Sequence, residues 1–179
     1  KVTDTVWSVA AYVTNENVNA GAKELEYEFK IYDTDRKFIY SKTGKTFISP
    51  NQSTIIYEGG INVGTRKPVY ASFSVLKKPL WFVVDPRIMD ITLSPTEQKL
   101  INEDTRPRFT ALIENTSDAQ TVSDVDVLVV FFDEQENAVG VSRTYIDEMN
   151  PMSTKQVYFT WQEPFTRQII RKELYIRFN

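Results

Sequence analysis

The chain contains an internal repeat of domain length, which limits the folds available to it. The matching pairs of segments are 11–15 with 111–115, 29–33 with 129–133, 49–53 with 150–154, and 69–73 with 174–178. A repeat near 100 residues is far longer than the roughly 20 to 50 residues of solenoid repeats. We therefore predict two tandem domains, which are residues 1–85 and residues 86–179.

Both copies of the repeat have the residue pattern of β-strands. Short segments rich in aromatic and β-branched residues are separated by clusters of Asn, Gly, Pro and Asp, a pattern typical of strands joined by turns. In residues 24–31, apolar side chains alternate with Glu and Lys, as in a strand with one buried face. Turn signals about every 8 to 12 residues favour an all-β fold of two tandem immunoglobulin-like antiparallel β-sandwich domains.

The two copies differ at their beginnings. In the second copy, residues 87–93 predict a first strand, and residues 94–106 predict a polar turn before the next strand. In the first copy, only five residues precede Val6. We expect the first copy to lack its first strand, either because the chain was cut there or because a neighbouring chain supplies the strand to an open sheet edge.

The composition excludes several classes of function. The chain has no cysteine and no histidine, which removes disulfides, Cys/His zinc sites, cysteine nucleophiles and histidine bases. Its net charge of −3 argues against a nucleic-acid partner, because a broad basic surface is needed to bind phosphates. No apolar run reaches the roughly 20 residues of a spanning helix. We assign no catalytic, cofactor-binding or metal-binding residue.

Two acidic turns leave one question about calcium open. Asp33 with Asp35, and Asp133 with Glu134, bring together the oxygen ligands that calcium prefers. Neither turn has the full sequence of a calcium-binding loop, and Asp also favours turns because its side chain accepts hydrogen bonds from the local backbone. The sequence favours the turn interpretation.

Leu128, Val130 and Phe132 form a candidate interaction surface. The equivalent face of the first copy is polar and includes Glu28 and Lys30. Contiguous apolar surface on a soluble domain usually marks an interface. We predict that the three residues pack against the first copy, against another chain, or against a local strand that covers them.

Trp81 and Phe82 form a second candidate surface, in the segment that links the two copies. We predict that they pack between the copies and fix the angle of the joint. The alternative is that exposed aromatic rings form a platform for carbohydrate.

Charge is divided unequally between the copies. Residues 1–85 carry 11 basic and 9 acidic side chains, a net charge of +2, and residues 86–179 carry 10 and 15, a net charge of −5. Opposite charges on the two copies favour self-association, with one chain stacked head-to-tail on the next.

Several motifs resemble bacterial proteins with two immunoglobulin-like domains. FKIYD at 29–33 is similar to the motif of FxLYD-type modules, and residues 129–133 follow it more loosely. Further similarities to membrane-anchored proteins of candidate-phyla (Patescibacteria-type) bacteria are VWS at 6–8, AYVTNEN at 11–17, KTFISP at 45–50, YEGGI at 57–61, PLW at 79–81 and FTWQEPF at 159–165. The resemblance implies a membrane anchor upstream of this chain, two modules outside the membrane, and no assigned activity.

Together these features predict a non-enzymatic, extracytoplasmic protein of the bacterial cell surface. We expect it to act as a spacer or a protein-interaction element whose partner is a protein, and self-association with a second copy of the chain is one form of this interaction. The alternative function is binding of carbohydrate or another extracellular ligand through exposed aromatic rings.

Overall fold

A computed structural model describes residues 2–83 and 92–178, and within these ranges the chain is all-β with no helix. It divides into two compact units, Lys1–Val84 and Asp85–Asn179. The strands of the first unit are β1 (Val6–Asn15), β2 (Ala20–Tyr32), β3 (Phe38–Ile48), β4 (Gln52–Asn62), β5 (Tyr70–Val75) and β6 (Trp81–Val83). The strands of the second unit are β7 (Leu93–Ile101), β8 (Arg108–Asn115), β9 (Val122–Phe132), β10 (Ala138–Met149), β11 (Thr154–Thr160) and β12 (Arg171–Arg177). The predicted all-β class is confirmed.

The first unit has two antiparallel sheets that enclose a core. Strands β1 and β4 form one sheet; β3, β2 and β5 form the other in that order, with β6 also paired to β2. Alternate residues of β2, including Tyr27 and Phe29, are buried and meet Val9 and Val13 from β1. The core therefore draws side chains from both sheets, as in a β-sandwich.

The second unit has two three-stranded antiparallel sheets, in the orders β11-β8-β7 and β10-β9-β12. Phe109 on β8 meets Phe131 on β9 edge to face, with 5.4 Å between the ring centroids. Trp161 and Phe165 extend this aromatic cluster around Phe131. The cluster joins the two sheets through large apolar side chains, which contribute most of the burial energy of such a core.

The predicted polar turn at residues 94–106 is wrong, because most of it belongs to β7, which pairs with β8. Leu93 and Leu100 both pack against the core, although side chains an odd number of residues apart in a regular strand point to opposite faces. A register shift between Thr96 and Lys99, with φ of 46° at Glu97, is a bulge that turns both leucines inward. The predicted first strand at residues 87–93 falls, up to residue 91, outside the described residues.

The sequence match between residues 69–73 and 174–178 is also wrong. Phe73 lies opposite Phe29 in the first unit, and Leu174 lies opposite Val129, the counterpart of Phe29, in the second. Phe73 therefore corresponds to Leu174. Both segments contain Tyr and Phe three residues apart. This similarity aligned Phe73 with Phe178 and concealed its correspondence to Leu174.

We predict that Phe131→Ala destabilises the protein by about 3 to 5 kcal/mol, because it removes a fully buried ring and leaves a cavity. Urea denaturation followed by far-UV circular dichroism measures the change. The control is Phe38→Ala, since Phe38 is exposed and its loss should cost much less. Equal losses for the two variants would contradict the assigned core.

Candidate interaction surfaces

Buried asparagines end β1 and β8 and hold the loops beside them. The Nδ2 of Asn15 donates to the carbonyl oxygens of Ala20 and Ser49, each at 2.8 Å. The Nδ2 of Asn115 donates to the carbonyl oxygen of Gln120 at 2.9 Å and to two more carbonyls where β10 ends, those of Met149 and Asn150. Each amide therefore binds backbone carbonyl groups of two separate segments through one side chain. Both copies thus fix the same loops with the same side chain.

Asp33 organises the turn between β2 and β3. Its Oδ1 accepts backbone N–H groups from Asp35 at 3.1 Å and Lys37 at 2.9 Å. Its Oδ2 accepts a hydrogen bond from Arg66. That hydrogen bond lowers the pKa of the Asp33 carboxyl group more than burial raises it.

Asp133 repeats this arrangement in the second unit. Its Oδ1 accepts N–H groups from Gln135 and Asn137, each at 2.9 Å, and its Oδ2 accepts from Arg167 at 2.5 Å. Burial raises the pKa of Asp133, but the hydrogen bonds from Arg167, Asn137 and Gln135 outweigh it and lower the pKa to about 2.

The geometry of both turns favours their interpretation as structural turns over calcium loops. The oxygens of Asp33 and Asp133 already accept bonds from backbone and guanidinium groups. Asp35 points toward Lys37, 3.8 Å away. Within residues 2–83 and 92–178, no group of three or more Asp or Glu side chains is placed to hold a metal ion.

A carboxylate on the central strand of each unit pairs with cations on or next to the flanking strands. Asp126 on β9 is almost fully buried and lies 2.6 Å from Arg143 on β10 and 3.0 Å from Arg177 on β12. In the first unit, Glu26 has the matching position on β2 and lies 3.3 Å from Lys45 on β3 and 2.8 Å from Lys77, two residues after the end of β5. These pairs tie three neighbouring strands together in each unit.

Leu128 and Val130 are buried within the chain, and burial by a local segment is one of the three predicted alternatives. Their exposed fractions are 0% and 2%, so other atoms of the same chain already cover them. Leu128 lies between Arg143 and Tyr175 on the neighbouring strands. Phe132 is half-buried, and the Arg171 guanidinium lies over its ring. Long side chains on β10 and β12 thus flank the apolar residues of β9.

Trp81 and Phe82 lie on a strand of the first unit, which corrects their placement in a linking segment. Both belong to β6, where Trp81 pairs with Ala22 and Phe82 pairs with Gly21. Trp81 is 46% exposed, and Lys23 lies 5.5 Å from the ring of Phe82. The two rings are therefore a partly exposed aromatic surface at the edge of the first unit.

Strand β1 is the main difference between the two units. Its counterpart β8 pairs with β7 on one side and β11 on the other. Among the described residues, β1 pairs with β4 alone. The side of β1 away from β4, here called the β1 edge, is thus a candidate site for an added strand.

An aromatic groove lies in the first unit where β2 ends and β5 begins. It has a volume of about 260 Å³ and is lined by Tyr32, Arg36, Tyr70, Ala71 and Ser72. The Arg36 guanidinium lies 5.7 Å from the centre of the Tyr70 ring. This groove presents an exposed ring and a cation to solvent.

The arginines that bind Asp33 and Asp133 are the functional side chains that sequence reasoning missed. Arg66 and Arg167 each lie more than 30 residues after the aspartate they bind. Both arginines fall at corresponding places of the repeat. That correspondence is the signal that could have identified them.

No family model and no curated protein matches the chain. In the part of the chain that the structure describes, no helix is long and apolar enough to cross a membrane.

We predict that Asp133→Asn reduces the acid sensitivity of the protein. The pKa of Asp133 is about 2 in the folded state and about 3.8 in a free side chain, so the unfolded state binds this proton more readily. The stability that Asp133 contributes is therefore present above about pH 4 and is lost as the pH falls toward about 2.

Thermal denaturation of both proteins between pH 7 and pH 2 measures this effect. The variant should melt below the wild type at pH 7, and the difference in Tm should shrink by pH 2. Asp104→Asn, in an exposed turn, is the control and should show no such convergence. A Tm difference that stays constant across the range would contradict the assigned role of Asp133.

Proposed function

We propose that this chain is a non-enzymatic spacer and protein-interaction protein of the bacterial cell surface, built from two immunoglobulin-like β-sandwiches. It lies outside the cytoplasmic membrane and is attached through an upstream anchor, as in the proteins that its motifs resemble. Its partner is a protein.

The observation that carries the interaction role is the β1 edge. An antiparallel strand with one bonded side offers a row of N–H and C=O groups to any extended chain of suitable shape. Strand β1 also has an apolar inner face, because Trp7, Val9 and Val13 pack toward the cores of the first unit. A partner strand can therefore gain both backbone hydrogen bonds and apolar contacts there.

The side-chain hydrogen bonds and ion pairs that hold loops and strands support the spacer role. Asn15, Asn115, Asp33 and Asp133 all use their side chains to fix loops at the ends of strands. The buried carboxylate of Asp126 also serves to join strands. Loops held in this way keep the shape of each unit constant, which suits a protein that separates or positions other groups.

Site-specific photo-crosslinking on intact cells of the source bacterium tests the proposed function. We expect a photoreactive amino acid at Ala10, exposed on β1, to give a crosslinked protein without permeabilisation of the cells. The matched control is the same amino acid at Lys42, exposed on β3, which should give little product. Crosslinking only after permeabilisation would contradict the surface location, and equal products at both positions would contradict the role of β1.

A second candidate function is carbohydrate binding, which the aromatic groove of the first unit favours. Sugar rings stack on exposed aromatic faces, and Tyr70 is half exposed beside the Arg36 guanidinium. If this function holds, a glycan array should reveal specific binding that Tyr70→Ala abolishes. Tyr145→Ala, which removes an exposed ring from the second unit, should leave the binding intact. An array without specific signals would exclude this candidate.

A further inference from the structure

The backbone direction in the second unit shows which groups of β1 face its edge. The Asn115 N–H donates to Ser153 on the β11 side, and the Thr116 N–H donates to Thr92 on the β7 side. Successive backbone groups of a strand point to opposite sides, so the even-numbered residues of β8 face β7. By the matching register of β1 and β4, Ala10 and Thr14 direct their N–H and C=O groups away from β4.

The composition of β1 leaves this edge open to pairing. Its ten residues, VWSVAAYVTN, include no charged residue and no proline. Edge strands commonly use charges, prolines or bulges to prevent unwanted pairing. Strand β3 has Lys42 and Lys45, β11 has Lys155, and β7 has Pro95 and a bulge. The register shift near Trp7 has its extra residue on β4 and not on β1, which leaves the second half of β1 regular.

The inward-facing residues of β1 are less buried than those of its counterpart β8. On β8, the inward residues Phe109, Ala111 and Ile113 are all 0% exposed. Their counterparts on β1 are only partly buried; these are Val9, Ala11 and Val13. Strand β7 covers this side of the core in the second unit, where Leu100 lies opposite Phe109 and Leu93 lies opposite Asn115.

We propose that the β1 edge binds an extended segment of a partner polypeptide that runs antiparallel to β1 and has the side-chain pattern of β7. The segment places one apolar side chain opposite Val9 and another opposite Asn15, with polar residues on its outer face. In the first unit, this segment occupies the position that β7 occupies in the second unit. The proposal rests on the proposed protein-interaction function and names the chemistry of the partner.

Amide hydrogen exchange on the full chain, read by NMR, tests the proposal with a synthetic peptide of residues 93–101, LSPTEQKLI. The N–H groups of Ala10 and Thr14 should exchange about tenfold more slowly when the peptide concentration is about ten times its Kd. The Ala11 and Val13 amides face β4 and should change little. A control peptide with Asp in place of both leucines should give no protection.

A pair of substitutions separates backbone pairing from side-chain contact. Ala10→Pro removes an edge-facing N–H, which edge strands tolerate, and should abolish peptide binding. Ala10→Thr retains the N–H and should keep the Kd within about twofold. If Ala10→Pro does not fold, an N-methylated version of the peptide, added to the unchanged chain, should fail to bind for the same reason.

Three results would overturn the proposal. These are no protection by the peptide, equal protection by the control peptide, and protection of Ala10 that rises with protein concentration when no peptide is present. The last result would place another molecule of this chain on the edge. Crosslinking at Ala10 on cells, combined with no peptide protection, would leave the interaction function standing and reject only the β7-like partner.

Discussion

The structure depends on how polar groups at the ends of its strands are satisfied. Asn15 and Asn115 each bridge two loops through buried amide hydrogen bonds. Asp33 and Asp133 hold the next turn in each copy and bind an arginine from a distant loop. An unsatisfied buried polar group costs about 1 to 3 kcal/mol. These hydrogen bonds therefore fix the positions at which the strands end. The two copies share them although their cores differ in size.

Both copies share these polar contacts, so the main difference between them is the pairing of β1. In the second unit, β7 completes the sheet and buries the inward face of β8. In the described part of the first unit, β1 has one partner, and its inward residues are only partly buried. An added strand would cover the inward residues of β1 and would therefore stabilise the first unit.

The sequence predicted the all-β class and the alternation of β2 because those depend on local periodicity. It did not predict β7, since a bulge at Glu97 breaks the period of two and the segment is polar. It did not identify the neighbours of Leu128, because the flanking Arg143 and Tyr175 come from distant strands. Contacts of Arg66 and Arg167 were missed for the same reason. Local pattern determines strands, whereas burial depends on pairing between segments far apart in the chain.

Hydrogen exchange of the free protein tests the central claim most directly, since each copy is a control for the other. We expect slow exchange at Thr110 and Glu114 on β8, which face β7. We expect exchange at Ala10 and Thr14 on β1 to be many times faster, because these amides face the open edge. Equal protection at the two sets of positions, in dilute protein without a partner, would show that the β1 edge is already paired and would contradict the account.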